Sequence, residues 1–301
     1  MRRRLKHLGE YAAMRLLVGV VGLLPWAALP ALARRLGFWA GLLATRRSQL
    51  VLDNIRSAFP GLGSREHQEI AGQFWRNITL TVLEIMRGCS SGRDWVQGHV
   101  QLENPQVLDE ALKEGRGILL HCGHFANWET TGLGIAVHGY PMVVIARTQN
   151  NPYIDRWYNS KRCRFGVETF NHHQAVRETQ DLLGRNGILA ILMDQNLYKG
   201  GIFVDFFGRP AATTTITALL HYRTQSPIVG AYMCRREGRT YVRFERLELP
   251  VWNDSISRKE KALRLTQWLT SKIEEWVRQE PANWLWGHNR WKRTGESSIS
   301  A

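Results

Sequence analysis

Gly117-Ile118-Leu119-Leu120-His121-Cys122-Gly123-His124-Phe125-Ala126-Asn127-Trp128-Glu129 runs from an apolar segment through a polar turn toward a stretch with helical character, 130–137. A short apolar run, a glycine and then a helical pattern reads as strand, turn and helix, the repeating unit of an α/β sheet. His124 and Glu129 then sit at the junction. Residues five apart on a regular helix point about 140° away from each other. The two side chains meet only if His124 lies in the turn and Glu129 in the first turns of the helix, and Gly123 permits the tight path this needs. Glu129 would then accept a hydrogen bond from one imidazole nitrogen and leave the other as a general base. That is the logic of a Ser-His-Asp triad in which the substrate supplies the hydroxyl. Three other readings compete: a satisfied polar pair without chemistry, a metal site built from His121, Cys122, His124 and Glu129, and Cys122 as nucleophile. The usual zinc spacings are absent. A nucleophilic thiol needs a lowered pKa and a partner base.

From about residue 115 the pattern alternates. Strands are expected at 117–121, 142–146, 188–193, 203–207, 228–233 and 241–247, and helices at 125–137, 152–163, 173–183, 214–224 and 258–278. The order predicts an α/β fold with a mixed, largely parallel sheet flanked by helices. Active sites of such sheets lie at the carboxyl ends of the strands, where His124 and Asp194 both fall. Upstream, a helix ends at Pro60, 61–63 is a loop, and a helix with apolar residues at Ile70, Phe74, Ile78, Val82 and Ile85 spans 64–86.

The chain has 301 residues, with 40 basic and 26 acidic side chains giving a formal charge of +14, and 12 tryptophans. A balance this basic implies an anionic partner. Tryptophan favours membrane–water interfaces, and no zinc-finger, RNA-recognition or basic-zipper signature is present. Together these favour a membrane surface and exclude nucleic acid as the expected partner. Cys89, Cys122, Cys163 and Cys234 are too widely spaced for a small disulfide framework, so a reduced, cytosol-facing protein is the simplest reading.

The amino terminus opens with Arg2-Arg3-Arg4-Leu5-Lys6, then runs from residue 16 to 33 without a charge. Eighteen helical residues rise about 27 Å, near a bilayer's hydrocarbon thickness, but Pro25 and Pro30 argue against one straight helix. A cleaved signal, a span, broken interfacial helices and a soluble helical hairpin all fit the pattern. Basic residues on both sides, including Arg34-Arg35 and Arg46-Arg47, favour a segment held at the cytoplasmic surface, where anionic lipids attract them. The expected division is a membrane-associating helical segment at 1–47 and one domain at 48–301.

Other segments add candidates. Arg147 ends a strand, Asn151-Pro152 starts a helix, and Arg156, Lys161, Arg162 and Arg164 follow along it. Arginine binds phosphate through paired, fork-like hydrogen bonds, although such a cluster is also what a solvated helix face looks like. Phe206-Phe207-Gly208-Arg209-Pro210 reads as a strand, a turn and then a Thr-rich helix start, which could offer free backbone N–H groups to an anion. Trp284-Leu285-Trp286-Gly287-His288-Asn289-Arg290-Trp291-Lys292-Arg293 combines aromatics with cations, as an interfacial anchor or as a mixture of core and surface.

Taken in order, Asn54-Ile55-Arg56-Ser57-Ala58-Phe59-Pro60, His124-Phe125-Ala126-Asn127-Trp128-Glu129, Arg147, Asn151-Pro152, Arg162, Asp194-Gln195-Asn196, Phe206-Phe207-Gly208 and the Trp286–Lys292 segment resemble the late acyltransferases of lipid A biosynthesis, within the lysophospholipid acyltransferase superfamily. The resemblance runs through most of the chain. It implies a glycerolipid acyltransferase-like α/β fold and a membrane-bound O-acyltransferase with no metal or organic cofactor. The family's His-x4-Asp/Glu motif falls on His124 and Glu129, as base and orienting acid. Arg147, Arg162, Arg164, Asp194, Phe207 and Gly208 are then expected to bind substrate or stabilise charge. Ala126 stands where relatives often carry glycine. The implied partners are an acyl carrier protein as donor, with coenzyme A as the other possible donor, an anionic glycolipid acceptor and the membrane. The implied place is the cytoplasmic face of a bacterial inner membrane. A phosphatidylinositol mannoside or a lysophospholipid acceptor, a Cys122-dependent lipid hydrolase and a non-enzymatic basic membrane-binding protein remain as alternatives.

Overall fold

The middle of the sheet is made by continuous apolar runs, as strands covered on both faces require. A computed structural model of the protein describes residues 2–171, 175–236, 238–253, 255–293 and 295. The first part is helical: α1 (Arg2–Gly22), α2 (Leu29–Leu43), α3 (Thr45–Ala58), α4 (Ser64–Gly88) and α5 (Arg93–His99). Alternation follows with β1 (Val100–Glu103), α6 (Gln106–Lys113), β2 (Ile118–Cys122), α7 (Trp128–Val137), β3 (Met142–Ala146), α8 (Pro152–Phe165), β4 (Val167–Asn171), α9 (Ala175–Gly184) and β5 (Ile188–Leu192). The chain continues through β6 (Ile202–Phe206), β7 (Arg209–Thr213), α10 (Ile216–Thr224), β8 (Ile228–Arg236), β9 (Arg239–Arg246) and α11 (Arg258–Gln279).

Seven strands form one sheet in the order β1-β9-β8-β2-β5-β3-β4. Every neighbouring pair is parallel except β8 and β9, which pair antiparallel. This is the mixed, largely parallel sheet that the alternation predicts. β2 is buried along its whole length and lies between β8 and β5, with Cys122 opposite Leu192. That register sets Gly123-His124 beside Met193-Asp194 at the carboxyl ends of two adjacent strands.

The expected strand at 203–207 needs correction. It is β6, and it pairs antiparallel with β7 in a separate ribbon. Phe207 and Gly208 form the two-residue turn, with φ of 57° and 71°; a turn with both residues in the left-handed region matches the twist of a hairpin. The helix start after this segment comes only at Ile216. The expected helix at 125–137 begins later, at Trp128, because Asn127 caps it by accepting the Thr130 backbone N–H at 3.0 Å. The helix expected from 173 is Ala175–Gly184; its first two expected residues lie outside the described ones, as do the last residues of the domain expected at 48–301. β1, β4 and β7 were not expected: they are short, and each carries polar residues or a proline that weaken the alternation. The four cysteines are free.

At the amino terminus the prolines act as expected. α1 ends before Pro25, and Pro30 lies in the first turn of α2, where a missing N–H is harmless. The two helices are bent by 102° to each other, and no single helix among the described residues is long and apolar enough to cross a membrane. α2 packs on α4, with Leu29 and Ala33 buried. Gly37 is required there, because a Cβ would stand 2.8 Å from the Trp75 carbonyl. Leu16, Leu17, Val20 and Leu23, then Phe38, Trp39, Leu42 and Leu43, are left exposed.

Candidate active site

The turn between β2 and α7 is held from three sides. Ala126, at φ 44°, donates its backbone N–H to the Asn283 carbonyl at 2.9 Å and accepts the Thr81 hydroxyl at 2.9 Å. Asn127 donates to Glu84 at 2.8 Å, and Arg235 donates to the same carboxylate at 2.6 Å. Gly123 earns its place through clearance. A Cβ there would lie 2.7 Å from the Phe125 ring and 3.0 Å from Asp194 Oδ2.

Asp194 is the carboxylate that meets the histidine. His124 Nδ1 lies 2.7 Å from Asp194 Oδ1, and the His124 backbone N–H donates to Oδ2 at 2.7 Å. Trp284 Nε1 donates to Oδ2 at 2.8 Å. Burial alone would raise the Asp194 carboxyl, but the imidazole and these hydrogen bonds outweigh it and hold the group well below the usual carboxylate range. With Nδ1–H donated to this anion, Nε2 carries the lone pair. It faces the side-chain amide of Gln195 at 3.1 Å, and the imidazole ring packs at a steep angle to the Trp128 ring, with the ring centres 5.1 Å apart.

Glu129 is engaged elsewhere, which corrects the expected His124–Glu129 bond. Its Oε2 accepts Arg162 Nε at 3.1 Å and its Oε1 accepts Nη2 at 2.5 Å. Among the described residues no hydrogen bond joins Glu129 to His124. The reason is geometric. The turn ends at Asn127, so Glu129 is already one residue into α7, facing α8, while the strand register delivers Asp194 directly to the imidazole. Arg162 also reaches Asn159 at 3.4 Å and Thr169 at 3.5 Å. Burial, then the Glu129 charge, pushes the Tyr158 hydroxyl beside this pair well above its ordinary value.

Arg147 follows β3 and lines a hollow of about 200 Å³ together with Arg162, so those two expected residues do come together. Arg164 is exposed and does not line the hollow that holds Arg147 and Arg162. Phe207 and Gly208 are turn builders. The Phe207 N–H donates to Glu274 at 2.6 Å and the Gly208 N–H to Asp205 at 2.9 Å, and the Phe207 ring packs against Phe59 and Trp286. The Thr-rich helix start, where free N–H groups for an anion are expected, comes after the ribbon, at Ile216, whose N–H donates to the Thr214 hydroxyl at 3.3 Å. His121 is wholly buried, and its Nε2 donates to the Leu269 carbonyl at 3.0 Å. Burial pushes it down to about 4. Cys122 is buried as well, and burial together with the Asp194 charge pushes its thiol up, the opposite of what a nucleophile needs.

The Trp284–Trp291 segment is core, not an interfacial anchor: Trp284, Trp286, Arg290 and Trp291 are buried. It forms a strap behind the 194–196 loop. Trp284 holds Asp194. Arg290 donates to the Gln195 carbonyl at 3.2 Å and to the Ala212 carbonyl at 2.6 Å. His288 Nε2 accepts the Asn196 N–H at 2.9 Å. Asn54 of α3 ties down the strap through the Trp286 and His288 carbonyls, at 2.9 and 3.1 Å. Sequence reasoning missed Gln195 and Trp284 as site residues. Their adjacency to Asp194 and their place in the aromatic segment were the available signals.

The site as a whole pairs a buried anion with a histidine at a strand end, and sets a second ion pair, Glu129–Arg162, on the next two helices. It can take up a proton at Nε2 while the imidazolium that forms stays neutralised by Asp194. Comparison with known proteins follows the same lines. The sequence pattern described as bacterial lipid A biosynthesis acyltransferase matches residues 2–293. A lipid A biosynthesis acyltransferase of Haemophilus influenzae is 21% identical over 270 residues, covering 89% of this chain and 82% of that protein. A lipid A biosynthesis palmitoleoyltransferase of Escherichia coli K12 is 23% identical over 300 residues, covering 92% and 89%. A phosphatidylinositol mannoside acyltransferase of Mycobacterium tuberculosis is 23% identical over 228 residues, covering 74% and 68%.

Proposed function

The chain belongs to the bacterial lipid A biosynthesis acyltransferase family, and we propose that this acyltransferase moves a fatty acyl chain from an acyl carrier protein thioester to a hydroxyl of a lipid A precursor, with His124 as the general base. The observation that carries this reading is the Asp194–His124 hydrogen bond of 2.7 Å at adjacent strand ends. The acceptor hydroxyl takes the place of the Gln195 amide at Nε2 and gives its proton to that nitrogen. Its oxygen attacks the thioester carbonyl, and the tetrahedral intermediate collapses. The C–S bond breaks, and the thiolate leaves with the proton returned by His124. Asp194 fixes the tautomer and stabilises the imidazolium, the role that spacing alone assigns to Glu129. Glu129 instead holds the Arg162 guanidinium, and Arg162 with Arg147 supplies positive charge for an acceptor phosphate or for the developing oxyanion.

The +14 charge suits an acidic carrier protein and an acidic glycolipid. The exposed apolar faces of α1 and α2, flanked by arginines, support seating on the cytoplasmic face of a bacterial inner membrane. The likeness to a phosphatidylinositol mannoside acyltransferase keeps a second acceptor in view. The test is acyl transfer by the purified protein from carrier thioesters to a tetra-acylated lipid A precursor, a phosphatidylinositol mannoside and a lysophospholipid. Transfer to the first supports the reading, and transfer confined to the lysophospholipid overturns it.

A further inference from the structure

A cleft of about 960 Å³ opens between α1 and the start of α8, walled by Arg3, Arg4 and His7 on one side and by Asn150, Arg156 and Asn159 on the other. It shares Thr148, Gln149, Asp155 and Asn159 with the hollow that holds Arg147 and Arg162. The basic cleft therefore adjoins the hollow lined by Arg162, the partner of Glu129. Among the described residues, Arg3, Arg4, Arg147 and Arg156 form no ion pair. Asp155, the acid in the wall, is already occupied: Oδ1 accepts the Gln149 N–H at 2.8 Å and Oδ2 accepts Asn159 at 3.3 Å. The two walls are fastened together by Asn151. Its Oδ1 caps α8, accepting the Tyr153 N–H at 3.1 Å, while its Nδ2 donates to the His7 carbonyl at 2.8 Å and to Glu10 at 2.9 Å. α1 is thus held in place over the cleft by a residue whose other half orders the helix that carries Arg156 and Arg162.

Guanidinium groups that form no ion pair and line both walls of one cleft call for an anion with several acceptor oxygens. We infer that this cleft binds the phosphorylated sugar headgroup of the acceptor, with Arg3 and Arg4 of α1 and Arg156 of α8 gripping phosphate. The inference rests on the reading that the protein acts on an anionic glycolipid. α1 then does more than hold the protein at the membrane: it forms one wall of the acceptor site, so that the cleft is complete only when the amino terminus is seated.

The test uses the full chain in neutral detergent micelles without phospholipid. KM is measured for a phosphorylated glycolipid acceptor and for the same glycolipid after removal of its phosphate. The wild type should show the lower KM for the phosphorylated form. In Arg3→Gln/Arg4→Gln and in Arg156→Gln that preference should shrink roughly tenfold, the scale of losing one charged hydrogen bond, and Arg3→Lys/Arg4→Lys should recover part of it. An equal rise in KM for both acceptors would overturn the site, because it would show a structural or micelle-binding role. A loss that appears only after anionic phospholipid is added would also overturn it, because the arginines would then be holding bilayer phosphate. Binding of the two glycolipids is measured in parallel without donor. A wild type that binds the phosphorylated form more tightly yet transfers nothing contradicts the acyltransferase mechanism and keeps the cleft. One that transfers yet binds both equally contradicts the cleft alone.

Discussion

Gly123 leaves room at the turn for both the Phe125 ring and the Asp194 carboxylate. A Cβ there would stand 2.7 Å from the ring and 3.0 Å from Oδ2, so one of the two must shift. Gly123→Ala should push the carboxylate away and lower the transfer rate nearly as far as Asp194→Asn, about 10²–10⁴-fold, with the fold retained by circular dichroism. Ala126 shows the reverse case. It holds φ at 44°, where glycine is unstrained, so Ala126→Gly should stabilise the protein by up to about 1 kcal/mol in denaturant unfolding. Two histidines, one fully buried and one partly buried, contribute a pH dependence of stability. Burial pushes both His121 and His288 from the ordinary 6.5 down to about 4. The folded state favours their neutral forms, so their contribution is complete above pH 6.5 and is lost as pH falls toward 4. Thermal melts should therefore show stability falling over that interval, and His288→Gln should fall less steeply even if it starts lower. At this scale the sequence revealed His124, Asp194 and Arg162 but not their partners. Glu129 is five residues from His124 and Asp194 seventy, and only strand register, which is a tertiary property, brings the distant one into contact.

The elements that carry the site were readable where one signal dominated. β2, β3, β5 and β8 are apolar runs between turn residues, and α4 and α11 are long and amphipathic. The β6–β7 ribbon was not readable as such, because a Phe-Gly pair does not announce a turn with two positive φ values, and the Pro and Ala residues of β7 are weak strand formers. The carboxyl-terminal strap was also ambiguous: alternating Trp and Arg suit an interface as well as a core, and only the hydrogen bonds of Arg290 and His288 to the 194–196 loop decide for the core. The strap's anchor is testable. Asn54→Ala removes two hydrogen bonds to its carbonyls from a buried position and should cost about 1–3 kcal/mol. It should also speed amide exchange at Gln195 and Asn196 and lower the transfer rate. Unchanged exchange in that loop would show that the strap does not position it.

For the whole molecule, the composition is that expected of a basic protein for an anionic surface, and the fold leaves a group of large apolar residues exposed at the amino-terminal helices. α1 and α2 bend through 102° and leave Leu16, Leu23, Phe38 and Leu43 outward. Replacing these four with Gln should reduce co-sedimentation with anionic vesicles, and added salt should weaken the binding that remains, since exposed charges are screened beyond about 10 Å at 0.1 M. Neither change should unfold the sheet, because none of the four residues is in its core. The central claim, however, concerns one nitrogen atom. It is tested most directly by single-turnover transfer from an acyl carrier protein thioester to a tetra-acylated lipid A precursor, comparing the wild type with His124→Ala. The account predicts a folded variant slowed by about 10²–10⁴-fold; a folded His124→Ala protein that transfers acyl chains at the wild-type rate would contradict it.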